Sequence, residues 1–379
     1  MFLEMNPETI LNIIQDVSVY FKPNDLTDSK LILEFVDIIK HIYLQIDEDC
    51  EKLDEEIIRL LLQFRKDYCT SLKDDIPKNI DIIHNLKKIK LPAQRTKEWY
   101  EFRQDRLTAS DLSTVMGKNP YSSRNKLIAK KCGHKEPFYV SLAIKHGVKY
   151  EDVAIHIYEK RNNIKIHEYG CIPHPTIGHF GASPDGICDV GSVNKEYIGR
   201  MLEIKCPKSR VITEFVPIYY ELQVQGQLEV CGLELCDYLE CSIKEYTNID
   251  EFIQDSGETL DTTQTNKEKG VIIETFNSTL DKSIYIYLNS FKTPEEIKEW
   301  ETETILELGK DCKYITTNYW KLEIYSVKLI QRDKERFNSE LIPEINRFWD
   351  DVLKYRKIGC ESIIKKNKKK ELQFLPDTP

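Results

Sequence analysis

The stretch from residue 164 to 207 constrains the fold more than any other part of the chain. It holds short β-prone segments broken by turn signals at His174-Pro175 and Pro184-Asp185-Gly186. Two pieces stand out: Ser183-Pro184-Asp185-Gly186 and Leu202-Glu203-Ile204-Lys205-Cys206-Pro207. Side chains alternate faces along a strand, so Glu203 and Lys205 share one face while Ile204 points to the core. If 178–206 runs as a meander, Asp185 stands at the entry to the neighbouring strand. Two carboxylates and one amine then surround a single point. Gly186 is read as supplying the backbone angles of a tight turn. Helical patterns before and after these short strands argue for an α/β sandwich rather than a bundle.

Two carboxylates, a backbone carbonyl and waters are what Mg²⁺ accepts. Such an ion polarises a phosphodiester and lowers the pKa of a bound water. A lysine beside that water can orient it or take its proton. Nothing in the set suits redox or acyl-transfer chemistry. An acidic–apolar–basic triplet is also what an ordinary half-exposed strand looks like, and the residues alone leave both readings open.

Composition sets the outer limits. The chain has 379 residues, 41% hydrophobic and 31% charged, as in an ordinary globular protein. Its 14 Phe, 20 Tyr and 4 Trp can drive burial, which excludes disorder for most of its length. No uncharged run approaches the ~18 apolar residues of a membrane helix. Met1 to Asn6 lack the basic region and apolar stretch of a secretory signal. The 11 cysteines are odd in number with no CxxC pair, so they read as reduced thiols in a soluble intracellular protein that is not secreted.

The net charge of −9 argues against coating nucleic acid by bulk charge. By region it is −6 over 1–90, +1 over 91–245 and −4 over 246–379. Residues 91–135 hold 10 Lys+Arg against 4 Asp+Glu, a local basic segment. A basic segment beside an acidic cluster can hold phosphate on one side and a metal on the other.

Three regions follow from the patterning. Residues 1–90 read as a helical N-terminal extension, with apolar residues such as Phe35, Val36, Ile39 and Ile42 at helical spacing. A second helix opens at Asp54-Glu55-Glu56, and a linker follows at Lys87 to Pro92. Residues 91–360 read as one domain. Its core motifs occupy 91–245, an insertion lies at about 246–318, and a terminal strand and helix lie at 319–357. The spacing predicts helices over 96–104, 110–115, 123–132, 141–161 and 214–231, and strands over 164–172, 178–182, 186–190, 200–206 and 236–245. Residues 361–379 are a basic tail with Lys365-Lys366-Asn367-Lys368-Lys369-Lys370, most simply a solvated end.

A competing constellation is His167, Cys171, His174, His179 and Cys188, close enough in sequence to suggest zinc. The spacing matches no zinc pattern, and turn histidines with buried thiols are the favoured reading. Cys231, Cys236 and Cys241 likewise read as buried thiols rather than a cluster.

Pro184-Asp185 followed by Glu203-Ile204-Lys205 resembles the PD-(D/E)xK nuclease signature. More specifically, the chain resembles the lambda-exonuclease-like, YqaJ viral recombinase family. Trp99 to Arg103 with Thr108-Ala109-Ser110 is similar to the family's W-x-x-x-R…T-A-S opening. Gly117-Lys118-Asn119-Pro120-Tyr121 resembles its G-x-N-P-Y turn, and Gly147 to Glu151 its G-x-x-x-E helix motif. Gln223-Val224-Gln225 resembles its Q-x-Q helix. The five motifs run in order over about 91–245, with a weaker echo at Leu329 to Asp333.

The resemblance implies an α/β (α+β) fold with a restriction-endonuclease-like core, a mixed central sheet flanked by helices. It implies that Asp185 and Glu203 are metal ligands, with the Ile204 carbonyl as a third and Glu151 as the helix-borne acid completing the site. Lys205 would position or deprotonate the attacking water. Arg103 would hold a DNA 5′-phosphate, with Ser110 and Gln223 as its neighbours. The implied cofactor is Mg²⁺, with Mn²⁺ as a substitute and no organic cofactor. The implied activity is metal-dependent exonuclease digestion of double-stranded DNA ends, 5′ to 3′, in viral-type recombination, repair or replication. Alternatives are a structure-specific endonuclease or nickase of the same fold, and a non-catalytic DNA-binding recombination factor. Families of this type include members that work with a single-strand annealing protein and members that form homo-oligomeric rings. A viral member would act in the cytoplasm or nucleus of its host cell, with no membrane partner.

Overall fold

The computed structural model describes residues 7–17, 29–44, 53–92, 96–134, 141–213, 215–288 and 290–364. The basic tail from Lys365 onward lies outside them. Three helices come first: α1 (Pro7–Val17), α2 (Ser29–Tyr43) and α3 (Leu53–Lys88). Their apolar stripes close on one another, with Ile10, Ile14, Ile39, Ile57 and Leu61 fully buried. α3 continues through Pro77 to Lys88. Its last turns leave the helical layer, and Ile83 and Leu86 enter the core of the following domain.

That domain begins with α4 (Lys97–Gln104), β1 (Leu107–Thr108), a 3₁₀ turn at Ala109–Asp111, α5 (Leu112–Val115), α6 (Arg124–Lys131) and α7 (Leu142–Asn162). Hydroxyl caps start three of these helices: Thr96, Ser123 and Ser141 each accept a backbone N–H of the first turn. Short strands follow: β2 (Ile166–His167), β3 (Ile172–Pro173), β4 (Phe180–Ala182), β5 (Gly186–Cys188) and β6 (Met201–Lys205). Then come α8 (Ile218–Cys231), β7 (Leu235–Glu245), α9 (Ile249–Gln254), β8 (Lys269–Asn277), β9 (Lys282–Leu288), α10 (Pro294–Leu306) and β10 (Cys312–Gln331). A short α11 (Lys334–Arg336) runs through a π-helical turn into α12 (Ile342–Ile358).

The main sheet has seven strands in the order β2-β5-β6-β7-β10-β8-β9. Only β6 and β7 are parallel; the other neighbours are antiparallel. Parallel neighbours need a crossover, and α8 is that crossover. A smaller sheet, β1-β4-β3, carries β4 beside β1 in parallel register, with Thr108 opposite Gly181. β4 and β5 therefore belong to different sheets, and Ser183-Pro184-Asp185 is the link between them.

Two cores flank the main sheet. α8, α12 and the end of α3 cover the face bearing Met201 and Tyr238. α7 covers the opposite face, where Leu202, Ile204, Leu239 and Cys241 pack. The fold is a mixed α/β sheet flanked by helices, as expected. Gly186 has a different reason than expected. Its φ is not positive; a Cβ there would sit 2.2 Å from Ile166 Cγ2, so glycine is needed for the close approach of β2.

Among the described residues no helix is long and apolar enough to cross a membrane. Four of the residues weighed as a zinc site have structural contacts or are buried. His174 Nδ1 accepts the N–H groups of Thr176 and Ile177, His179 stacks on Trp349, and Cys171 and Cys188 are buried.

Candidate active site

Three segments meet at the end of β6. The pleat turns Glu203 and Lys205 toward α8 and Ile204 toward the α7 core. Glu203 is fully buried, a costly place for a carboxylate unless it is thoroughly hydrogen-bonded. Its Oε1 accepts from Lys205 Nζ and from Gln223 Nε2, the latter at 2.5 Å; its Oε2 accepts from Gln227 Nε2 at 2.7 Å. The crossover makes this possible, because α8 lies over the face that Glu203 points into. Gln223 and Gln227 are one helical turn apart and reach the same carboxylate from above.

Asp185 arrives from the link between the sheets. Its Oδ2 accepts the Ile204 N–H at 2.7 Å, which ties the turn to β6. Burial pushes its carboxyl well above the usual range, the Glu203 charge adds to this, Lys205 opposes it, and Glu151 adds a little more. Burial disfavours the Lys205 ammonium, but the Glu203 and Asp185 carboxylates outweigh that and push its pKa up. Lys205 Nζ also sits 4.9 Å above the Tyr220 ring. Glu151 comes from α7, on the other face of the sheet; its charge is felt at Asp185 and at the Cys206 thiol.

In β7, opposite Lys205, lies a second buried carboxylate, Glu240. Arg210, Lys328 at 2.7 Å and Tyr238 at 3.2 Å hold it.

The residues fit a hard divalent cation in donor type and charge. Asp185, Glu203 and Glu151 offer only oxygens, and burial together with the other two carboxylates raises Asp185 despite the Lys205 ammonium. They do not form a closed cage: among the described residues no three His, Cys, Asp or Glu side chains converge as a ready-made metal site.

A second polar group gathers at β1. Arg103, near the end of α4, lies 4.2 Å over the Trp99 ring and donates to Thr108 Oγ1 (3.3 Å) and Ser110 Oγ (3.2 Å). The alternative of an ion pair with Glu98 or Glu101 is not taken, and among the described residues Arg103 forms no ion pair. Thr108 is itself fixed by Asp111 Oδ2, which accepts both its N–H and its hydroxyl. A guanidinium fork without a carboxylate, beside two hydroxyls, is a place for an anion. β4, the strand paired with β1, leads four residues after Gly181 to Asp185, so this pocket and the carboxylates share a frame.

The structure thus brings Arg103 and Ser110 together, and Asp185, Glu203 and Lys205 together. Gln223 gives its amide to Glu203, with no hydrogen bond to Arg103 or Ser110 among the described residues. Sequence reasoning missed Gln227 and Thr108. The Gln223–Gln227 spacing of one helical turn was the available signal. Gln225, in the quoted motif, faces elsewhere: it donates to Gln331 O and accepts the Asp333 N–H, fastening the end of β10.

Residues 98–234 match the model of the YqaJ-like viral recombinase domain. The chain carries a YqaJ-like domain. That domain spans α4 to α8 and β6, and so contains Arg103, Ser110, Glu151, Asp185, Glu203, Lys205 and Gln223. Protein R354 of Acanthamoeba polyphaga mimivirus is 36% identical over 300 residues, covering 72% of this chain and 54% of its own. A protein of African swine fever virus (strain Badajoz 1971 Vero-adapted) is 30% identical over 162 residues, covering 36% of this chain and 46% of its own. The chain therefore spans about half the length of these curated relatives. Among solved structures, an alkaline exonuclease (LHK-Exo) from Laribacter hongkongensis is similar over 72% of this chain and 99% of its own, at 20% identity and a TM-score of 0.40.

Proposed function

We propose that the chain is a metal-dependent deoxyribonuclease of exonuclease type, which hydrolyses phosphodiesters from duplex DNA ends in the 5′ to 3′ direction. The observation that carries this reading is the convergence of Asp185, Glu203 and Lys205, at the join of two sheets, inside a YqaJ-like domain. Asp185, Glu203, the Ile204 carbonyl and Glu151 are the groups that would hold Mg²⁺ or Mn²⁺. Such an ion supplies charge neutralisation at the phosphate and an acidified water. Gln223 and Gln227 hold Glu203 in one orientation. Lys205 orients the attacking water, and the Arg103–Thr108–Ser110 pocket takes the terminal 5′-phosphate and so sets the polarity. Residues at the ends of separate elements, each fixed by its own hydrogen bonds, are what positioning catalysis requires.

Digestion of end-labelled linear and circular duplex, with and without Mg²⁺, tests this. Mononucleotides should appear from linear DNA only, only with the metal, and faster from 5′-phosphorylated ends. Cleavage of circular DNA would replace the exonuclease with an endonuclease or nickase. The second reading is a DNA-binding recombination factor without turnover. That reading wins if wild-type protein binds duplex but releases nothing with Mg²⁺ or Mn²⁺. An annealing-protein partner and a homo-oligomer belong to the proposal as assemblies to be sought by co-purification and molar-mass measurement.

A further inference from the structure

An aromatic series leads outward from Lys205 to the surface. Tyr220 lies under the Lys205 ammonium, and its ring centroid is 4.4 Å from that of Tyr219. Tyr219 in turn meets Tyr121 edge to face at 6.0 Å. Tyr121 is 78% exposed, which is unusual for a tyrosine. Its exposure is not that of a loose loop. Gly117 adopts φ +68°, and the N–H groups of Lys118 and Asn119 both donate to Ser113 O. Asn119 then donates from Nδ2 to Thr114 Oγ1 at 2.8 Å and accepts the Tyr121 N–H at 2.8 Å. The turn is bolted to α5 and presents the ring to solvent. The loop after β6, whose Arg210 lies 5.7 Å from the Tyr220 ring, exposes Val211 (76%) and Phe215 (63%). Positive charge accompanies these rings, since Lys118 in the first turn and Lys208 in the loop are also exposed.

We propose that Tyr121 and Tyr219, backed by Tyr220, form a stacking track that holds unpaired nucleobases of a single-stranded DNA segment beside the hydrolytic site. Aromatic faces held rigidly beside cations match a chain of flat bases on a polyanionic backbone. The faces accept any base, so the track is indifferent to sequence. A duplex keeps its bases stacked inside and cannot use it. The proposal rests on the nuclease reading only for the direction of the track toward Lys205; the binding itself needs no metal and no turnover.

The test is fluorescence anisotropy with labelled single-stranded oligonucleotides of 4 to 12 nucleotides, blunt duplex, and an abasic oligonucleotide of equal length, all in EDTA. Tyr121→Ala should weaken single-strand binding about 10-fold, the loss expected for one base–aromatic stack. It should leave blunt-duplex binding unchanged, and Tyr121→Phe should keep the wild-type affinity. The abasic strand should bind the wild type at least as weakly as the normal strand binds Tyr121→Ala. Abasic and normal strands binding alike would overturn the track, as would an unaltered Tyr121→Ala. So would a change of molar mass in Tyr121→Ala, which would assign the patch to a second copy of the chain. Wild-type protein that binds normal and abasic strands alike yet digests DNA with Mg²⁺ condemns the track alone; stacking without any digestion condemns the nuclease reading alone.

Discussion

Glu203 combines three conditions that rarely coexist: no exposure, a charge, and three side-chain donors supplied by two elements. Removing one donor leaves the carboxylate free to turn. Gln227→Leu should weaken Mn²⁺ binding about 10- to 100-fold, the usual cost of losing a group that orients a ligand. Electron paramagnetic resonance titration measures it without turnover. Gln227→Glu should be worse, since it sets a like charge against Glu203. Asp185→Asn should abolish hydrolysis, by roughly 10³-fold or more, while duplex affinity in EDTA is kept; parallel binding and digestion assays separate the two. The acidic pair and the lysine were legible because they are local in sequence and obey strand alternation. Gln227 was not, because its contact spans 24 residues and depends on how α8 rotates over the sheet.

Elements are held to one another by a few buried polar contacts. Arg200 Nη1 meets Asp237 at 2.9 Å, and the Tyr158 hydroxyl donates to the same carboxylate at 2.7 Å, joining the start of β6 to β7 and α7 inside the core. Arg200→Met strands a buried charge and should cost about 3–5 kcal/mol in urea unfolding; Tyr158→Phe should cost about 1–2 kcal/mol. At the far end of α7, Arg161 forks onto Glu268 with two bonds of 2.7 Å. Burial raises the Glu268 carboxyl, but the Arg161 hydrogen bonds, a backbone hydrogen bond and the Arg161 and Lys160 charges together outweigh it and hold it below the ordinary range. A depressed carboxyl stabilises the fold above its unfolded pKa of about 4.3 and loses that contribution as pH falls through the folded value. Glu268→Gln should therefore lower stability at pH 7 by about 1 kcal/mol and flatten the decline below about pH 4.5, as followed by thermal melts across pH. At this scale the sequence reading found most helices of the domain within a few residues. It missed the first seven residues of β10, for which 319–331 was the expected strand. Those residues pair only with β8, and the full strand bulges near Tyr314 and Leu322 as it passes from one partner to the other. No local pattern announces a partner so far away.

For the molecule as a whole, the joint between the helical layer and the sheet domain is α3. Its final turns donate Ile83 and Leu86 to the main core, Asn79 Nδ2 to Ile198 O at 2.9 Å, and Lys87 to Asp189 at 2.6 Å. Residue 90 is thus a sequence boundary that packing crosses. A chain beginning at residue 75 should keep the melting temperature of the domain, because Pro77 suits the first turn of the shortened helix. A chain beginning at residue 91 loses two buried aliphatic side chains, about 3–6 kcal/mol, and should melt roughly 10 °C lower. Calorimetry of the two truncations decides it. The charge split read from the sequence fits this plan, with acid gathered in the helical layer and the local basic segment at α4 to α6.

The single parallel pair of the main sheet bears on how the protein comes into being. β6 and β7 cannot join as a hairpin does; they meet only after α8 has formed and swung across. The β5–β6 hairpin can assemble early and carries Asp185, Glu203 and Lys205, but Gln223 and Gln227, which fix Glu203, come only with α8, and Glu151 only with α7. In a refolding experiment, far-ultraviolet circular dichroism should recover first and cleavage of DNA last, with no partly folded species able to cut. Under the proposed function, a nascent chain emerging from the ribosome stays unable to cut nucleic acid until its topology is complete.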